Sequence, residues 1–410
     1  MSSIARTVVL SRRRAEQKVW QASQYEFEDV IAEVDDAVLL TPRRRAAGQV
    51  GRLAHGARNR LGARVGWPRR ALMRPLAEAH DADLLFAVFA APSEIGILPH
   101  ARAQVDRAAA KVAYIVELWA PQVPGVADYL RQLRGFDHIF LFSRDAIPAV
   151  QDITGVPCTY LPTAVDTDLF APTPPAPERS IDVTSYGRRL RATHEALVSA
   201  MADAGLYYHY DTVRRAFDVT SHREHRVALA ATLQRSRYAV VYRNNDEPGR
   251  LPRTGGEESL TNRYFETLAA GAVMLGSAAD VGDFRECFDW PDAIIEIPAP
   301  APGVVDIITD LDRDPARLAR ASRAGVTQSL RRHDWAHRWQ EVLASVGLEP
   351  PPGLAARLQR LEARAAAYDL AGPGDPAAPA GPGQPAEPAA PSNGRQGAAL
   401  AAAVPDGEPE

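Results

Sequence analysis

Short apolar stretches alternate with longer segments of helical periodicity through the first 160 residues. The apolar stretches predict strands at 7–10, 37–40, 84–89, 112–117, 138–142 and 158–161. Strands that alternate with helices indicate a parallel, doubly wound sheet, whose ligands bind at the carboxyl ends of the strands. Glu117 and Trp119 end the fourth strand and are candidates for one side of a binding cleft. The alternative is a solvent-facing Glu117 and a Trp119 packed beneath Pro121.

The same alternation resumes after the proline-rich stretch 172–177, where we place a domain boundary. Predicted strands follow at 181–186, 238–242, 273–275 and 293–297, with helices at 188–204 and 331–346. We therefore expect domains at 1–170 and 171–348, the second ending in a closing helix. Residues 349–410 should be a helix remnant and, from about Ala371, a disordered tail, because Ala, Pro and Gly cannot bury enough apolar surface.

The most specific stretch is 255–276, which reads GGEESLTNRYFETLAAGAVMLG. It predicts a short helix capped by Ser259 or Thr261, a stop at Gly271 and a buried strand. Glu258 lies before the cap and Glu266 about one turn inside, so both could face a ligand over exposed helix N–H groups. The alternative is an ordinary amphipathic helix in which Glu266 pairs with Arg263.

Composition narrows the class of protein. A chain of 410 residues that is 46% hydrophobic can fill two ordinary cores, and a net charge of −4 gives no overall attraction to nucleic acid. The two cysteines, Cys158 and Cys287, are too few for a disulfide framework or a zinc cluster. Neither an apolar signal-peptide segment nor a run of about 18 apolar residues occurs, so we expect a cytoplasmic protein that touches a membrane only from its surface.

One segment of the first half is strongly basic: residues 43–74 contain ten arginines and no acidic residue. Its apolar positions fall on one side at helical spacing, at 50, 53, 54, 57, 61 and 65. This pattern predicts a basic amphipathic helix. Two accounts of it are open: a helix docked on the sheet by its apolar stripe, or a surface that contacts an anionic membrane or an anionic acceptor.

The stretch 255–276 also resembles the donor-site signature of the GT-B glycosyltransferases. In that superfamily two glutamates separated by seven residues precede Ala-Gly and a strand, as Glu258, Glu266, Ala270 and Gly271 do here. The segment NRYFETLAAG is similar to the group 1-like branch that includes spore-maturation glycosyltransferases. That branch has an arginine three residues before the second glutamate, and Arg263 fills this position here. The earlier segment LPTAVDTDLFAP resembles the superfamily's interdomain segment.

The resemblance implies an α/β protein of the GT-B fold, with two Rossmann-like, doubly wound parallel sheets facing across a cleft. It places a nucleotide sugar on the second domain and an acceptor on the first, on the side of Glu117 and Trp119. Arg188 would bind phosphate. The lysine that usually follows is missing, because no lysine comes after Lys111, so Arg191 or another arginine would take its role.

Within the donor site, the resemblance assigns Glu258 to the transferred sugar, as the catalytic candidate, and Glu266 to the ribose hydroxyls. Further donor-binding candidates come from the motif and from the end of the strand at 238–242. These are Arg263, Thr261, Asn262, Arg243 and Asn244. At Arg243 and Asn244 the alternative is an ordinary polar loop.

The function implied is a retaining hexosyl transfer from a nucleotide sugar to a glycan, a lipid-linked or a small-molecule acceptor. We expect it to be metal-independent, because the second half of the sequence has no Asp-x-Asp pair at a strand end and no His or Cys ligand cluster. No cofactor is expected, because the nucleotide sugar is a substrate, and no nucleic-acid partner is expected. Two alternatives are a GT-B sugar-nucleotide epimerase and a non-catalytic GT-B-like module that binds a glycan or a partner protein.

Overall fold

The structure is a computed structural model, and it describes residues 5–13, 18–43, 49–64, 70–76, 78–174, 176–211, 218–247, 249–279 and 282–370. The tail predicted to be disordered from Ala371 lies outside the described residues. Within them, no helix is both long enough and apolar enough to cross a membrane.

The first domain is built on a sheet of six parallel strands in the order β2-β1-β3-β4-β5-β6. The strands are β1 Ala5–Leu10, β2 Val38–Leu40, β3 Ala82–Phe89, β4 Ala108–Ile115, β5 His138–Leu141 and β6 Cys158–Tyr160. Its helices are α1 Ala22–Asp35, α2 Gln49–Arg64, α3 Arg102–Arg107, α4 Val123–Leu130 and α5 Ile147–Thr154. Each of the six strands expected from the apolar runs is present, because both faces of such a sheet are buried and the runs are continuous.

A short helix, α6 Thr167–Phe170, connects this domain to the second, whose five parallel strands have the order β11-β10-β9-β7-β8. The strands are β7 Ile181–Ser185, β8 Tyr208–Tyr210, β9 Ser236–Val241, β10 Val273–Gly276 and β11 Ile295–Glu296. The helices are α7 Arg191–Asp203, α8 His222–Gln234, α9 Leu251–Thr254, α10 Asn262–Ala269, α11 Gly282–Cys287, α12 Val304–Leu311 and α13 Pro315–Arg332. The predicted α/β architecture with two doubly wound parallel sheets is thus confirmed. Strand β8 was not predicted.

Two C-terminal helices, α14 Trp335–Ala344 and α15 Pro352–Leu370, return to the first domain. Trp335 stacks on Phe27 of α1 with 4.5 Å between ring centroids, and both lie in one buried apolar cluster with strand residues of the first sheet. Gly353 lets α15 approach α1 closely, since a Cβ there would lie 2.4 Å from the Val34 carbonyl oxygen. The segment after 349 is therefore a packed 19-residue helix and not the remnant that its sequence suggested.

Candidate functional site

Strand order reverses in the second sheet between β7 and β9, and ligands of open parallel sheets bind at such a point. Gly187 follows β7 with φ +69°, a conformation that favours glycine, and its N–H donates to Asp211 at 2.9 Å. Arg188 comes next, and its Nη2 donates to Asn244 Oδ1 just after β9. Asn244 Nδ2 donates in turn to Ser259 Oγ at 2.7 Å. The loops after β7 and β9 and the start of the motif thus fix one another.

Arg263 binds the backbone that follows the same two strands, β7 and β9. Its side chain is buried, and it donates from Nη1 to the Arg188 carbonyl at 3.1 Å and from Nη2 to the Tyr242 carbonyl at 3.0 Å. The alternative in which Glu266 pairs with Arg263 is therefore wrong, because Glu266 is bound by Arg226 instead. The position of Arg263 behind two backbone carbonyls makes it a support for Arg188.

Glu258 lies half-buried beside the loop after β9. Its Oε1 accepts a 3.2 Å hydrogen bond from the Asn245 N–H, whereas its buried Oε2 has no partner among the described residues. Burial raises the pKa of the Glu258 carboxyl above its usual value, since desolvation penalises the charged form more than the Asn245 N–H and Arg243 favour it. A carboxylate with one vacant acceptor atom can receive a donor from a bound ligand.

Helix α10 begins without the predicted side-chain cap. Thr261 is the N-cap residue and is extended, but its hydroxyl makes no capping bond, and Thr261 Oγ1 is buried with no partner in the described part of the chain. The Ser259 hydroxyl is engaged by Asn244. Neither hydroxyl therefore caps the helix.

Glu266 lies deeper, with 4% of its surface exposed. Arg226 of α8 donates to Glu266 Oε1 and also to Glu26 of α1, from Nε at 2.6 Å and from Nη2 at 3.2 Å. Trp335 Nε1 adds a 3.0 Å hydrogen bond to Glu26. Glu266 is thus part of a buried ionic network that joins the two domains.

Two other predicted donor residues have structural partners. Asn262 donates to Ser23 Oγ at 2.5 Å and accepts from Thr163 at 2.6 Å, so it contacts the first domain and the interdomain segment. Arg243 donates twice to Asp246 Oδ1, at 3.1 and 2.8 Å, and shapes its own loop. The Arg188 side chain contacts that of Asn244, and the Glu258 carboxylate contacts the N–H of the next residue, Asn245. The side chains of Asn262 and Arg243 hold the surroundings.

The structure does not bring Arg191 to Arg188. Its side chain is 89% exposed and pairs with Glu195 one helical turn away, at 2.8 Å. Arg250, which sequence reasoning missed, lies near Arg188 instead: burial, and then the like charges of Arg263 and Arg250, lower the pKa of Arg188 to about 10. The sequence marks Arg250 only as an arginine in the polar loop after β9, and that feature alone does not predict phosphate binding.

The loop between β9 and α10 also reaches the first domain. Arg253 donates to Glu117 Oε1 at 2.7 Å, and Glu257 Oε1 accepts from Ser143 Oγ at 2.5 Å and from the Asp145 N–H at 3.2 Å. Gly255 packs against Pro121, where a Cβ would lie 2.7 Å from Pro121 Cγ. The predicted first-domain residue Glu117 therefore does lie beside this loop.

Trp119 is buried rather than displayed, with 4% of its surface exposed. Its Nε1 is also buried and has no partner among the residues described. In the same described part of the chain, no group of three or more His, Cys, Asp or Glu side chains is arranged to hold a metal ion.

A comparison with family models identifies the second domain. Residues 181–344 match the family described as "Glycosyl transferase-like". The second domain is therefore similar to glycosyltransferase domains. The resemblance predicted from the stretch 255–276 is thereby confirmed, and the match runs from the first residue of β7 to the last of α14.

Solved structures that resemble this chain are distant in sequence. The Anabaena protein HepE, solved in complex with UDP-glucose, is 10% identical over 83% of this chain and 99% of its own, with a TM-score of 0.47. WaaG, a glycosyltransferase involved in lipopolysaccharide biosynthesis, is 10% identical over 83% of this chain and 100% of its own, with a TM-score of 0.43. No curated protein matches the chain in sequence.

Proposed function

We propose that this protein transfers a sugar from a nucleotide-sugar donor to an acceptor and is a hexosyltransferase that acts with retention. The observation that carries the proposal lies at the strand-order reversal of the second domain, where Arg188 contacts Asn244 and Glu258 contacts the N–H of the adjacent Asn245. A guanidinium at this place binds the donor diphosphate, and a carboxylate next to it meets the sugar. Retention rests on the resemblance of the motif to retaining enzymes.

In the proposed reaction the bond between the anomeric carbon and the diphosphate oxygen breaks, and an acceptor oxygen bonds to the same carbon. The electron pair leaves with the nucleoside diphosphate, which takes up the acceptor's proton. Arg188 and a second cation neutralise the leaving diphosphate, so that no divalent metal is needed. Glu258 faces the positive charge that develops on the sugar, and its Oε2 has no hydrogen-bond partner among the described residues that would compete with this role.

The first domain supplies the acceptor side of the proposed site. Glu117 lies beside Arg253 of the donor domain, at the carboxyl end of β4, so an acceptor bound there would be close to the donor loop. Trp119 contributes from beneath the surface, as a buried support. A glycan, a lipid-linked sugar or a small molecule would each fit this general description.

Release of free nucleotide tests the proposal against its two alternatives. The protein is incubated with UDP-, GDP- and ADP-glucose, with and without an acceptor extract. A transferase releases nucleotide in an acceptor-dependent way, an epimerase interconverts the donor without acceptor, and a binding module does neither. Thermal shift ranks the donors first, since a ligand at about 100 times its dissociation constant stabilises the protein by about 2.7 kcal/mol.

The second part of the proposal is that helix α2 contacts an anionic membrane surface. The docked account of this helix expected its apolar stripe to face the sheet, but Leu53 is 69% and Leu61 62% exposed. On the same helix, Asn59 donates to the Arg70 carbonyl at 2.9 Å. Outward leucines on a helix whose sequence is rich in arginine are suited to the interface of an anionic bilayer.

A further inference from the structure

Glu247 lies between the two arginines of the phosphate-binding region. Its Oε2 is 3.0 Å from Arg250 Nε and 3.5 Å from Arg188 Nε. Arg188 follows β7, whereas Glu247 and Arg250 belong to the loop after β9, so the carboxylate bridges the two sides of the strand-order reversal. An internal anion thus occupies the point where the proposed function requires a ligand anion.

The cations around this point have distinct partners. Arg263 directs its donors at two backbone carbonyls and Arg253 binds Glu117, so neither shares Glu247 in the contacts seen here. The side chains of Arg188, Arg250 and Glu247 are 30%, 19% and 37% exposed. They are therefore covered enough to be oriented and open enough for a dissolved anion to reach them.

We propose that the Glu247 carboxylate takes the place of a donor phosphate in the unliganded protein, and that Arg250 is the second phosphate-binding cation. Nucleoside diphosphate binding then displaces Glu247 from Arg188 and Arg250. This inference rests on the proposed donor site and adds two residues to it, and it gives Arg250 the role that the sequence suggested for Arg191.

The displacement follows from charge and geometry. A guanidinium binds a carboxylate and a phosphate in the same way, through parallel N–H groups, so the two anions compete for one fork. A partly exposed carboxylate pair is weak, whereas a diphosphate brings more charge and more acceptor oxygens. Glu247 therefore makes entry selective: a neutral nucleoside cannot replace it, and a diphosphate can.

Calorimetry on the full chain tests the inference with UDP, GDP and ADP and, as phosphate-free probes, the matching nucleosides. The variants are Glu247→Gln, Arg250→Gln, the two combined and, for comparison, Arg191→Gln. Matched controls remove the same charges from exposed ion pairs elsewhere in the domain, as Glu195→Gln and Arg313→Gln. Thermal melting of each variant shows that it is folded.

Glu247→Gln should tighten diphosphate binding about 2- to 5-fold, the scale of one partly exposed ion pair, without changing nucleoside binding. Arg250→Gln should weaken diphosphate binding about 10- to 100-fold, the scale of one charge-assisted contact. In the double variant the gain from Glu247→Gln should shrink, because the two residues share a contact. The gain should survive high salt, which screens a merely long-range effect of charge.

Two results overturn the inference, and they separate it from the proposed function. If the parent binds a nucleoside diphosphate and Glu247→Gln or Arg250→Gln binds it equally well, the donor site stands and the roles of Glu247 and Arg250 fall. A loss in Arg191→Gln but not in Arg250→Gln would return the second cation to Arg191. A parent that binds none of the three diphosphates overturns the donor site and, with it, this inference.

Discussion

Arg226 binds Glu266 inside the protein and, by the same guanidinium, holds Glu26 of the other domain. The second glutamate of the donor motif is therefore part of the contact between the domains as well as a candidate ligand for the donor. Both ends of the network are buried, with Glu26 5% and Glu266 4% exposed, and so is Arg226 between them at 4%. A movement of the Glu266 side chain would therefore act directly on Arg226 and, through it, on Glu26 in the first domain.

Replacing Arg226 should strongly destabilise the protein. Arg226→Met leaves Glu26 and Glu266 buried without their shared cation, and removing one partner from a buried ionic network costs about 3 to 5 kcal/mol. Denaturant unfolding measures the loss. Arg235→Met, at an exposed arginine just past the end of the same helix, is the control and should change stability little. A free energy of unfolding equal to the parent's would show that Arg226 contributes no net stability.

Glu266→Ala should weaken nucleotide binding about 10- to 150-fold, the worth of a hydrogen bond to a charged group, and should affect the bare nucleotide and the sugar nucleotide alike. Calorimetry is the measurement, because stability will also change when the Arg226 contact is lost. If the variant binds nucleotide like the parent, Glu266 serves the domain contact alone and the register assigned to the motif is wrong.

Much of the framework could be read from the sequence because its signals are local. The strand β9 and the strand β10 are short apolar runs buried on both faces, and the motif's glutamates have fixed spacing. Strand β8, Tyr208–Tyr210, escaped prediction because a tyrosine–histidine–tyrosine edge strand has no apolar run. A strand of this kind owes its conformation to its neighbour β7.

The residues that the sequence could not supply are those with distant partners. Glu26 and Arg226 are separated by 200 positions, and the sequence around either residue does not predict that the two side chains meet. Arg357 of α15 likewise binds Asp166 and Asp334, which lie in the interdomain segment and before α14. Arg191 lies three positions after Arg188 and was therefore a candidate for the second phosphate-binding cation. In helix α7, however, its side chain pairs with Glu195 one turn later.

Glu258→Ala should spare the binding of bare nucleotide and lower turnover. A contact to a sugar that acquires positive charge strengthens toward the transition state, and only such contacts raise the rate of the chemical step. The loss of one preorganised electrostatic contact lowers kcat about 100- to 1000-fold. Rates and nucleotide affinity measured side by side check the split; a variant whose only defect is weaker nucleotide binding contradicts it.

The pH profile of the parent gives an independent check on Glu258. Burial raises the pKa of this carboxyl, and the charged form is the one that stabilises the sugar. As pH falls, turnover should therefore decline through a pKa above the value of about 4.3 for an ordinary glutamate. Turnover that is unchanged down to ordinary glutamate pKa values would show that ionised Glu258 is not required.

Turnover should not depend on a divalent metal. Arginines at the strand ends can neutralise the leaving diphosphate, and the second half of the sequence offers no Asp-x-Asp pair at a strand end. The assay is repeated after treatment with EDTA and then with added magnesium or manganese. Complete loss of activity that either metal restores would contradict the prediction.

Neutralising the arginines of α2 should reduce binding to anionic vesicles. Each basic residue close to an anionic surface contributes about 1 kcal/mol, so the fourfold change to glutamine should nearly abolish the electrostatic part of binding. The positions changed are Arg52, Arg58, Arg60 and Arg64. Sedimentation with phosphatidylglycerol vesicles measures the effect, and neutral phosphatidylcholine vesicles are the control.

The exposed leucines separate a bilayer from a simple attraction of charge. Leu53→Ser with Leu61→Ser keeps all the arginines, yet it should also weaken vesicle binding, because an interfacial helix inserts its apolar face below the headgroups. An arginine surface that only attracts anions would lose affinity in the arginine variant and keep it in the leucine variant. No binding by the parent, or equal binding by all three proteins, would exclude α2 as a membrane contact and leave its outward leucines without that explanation.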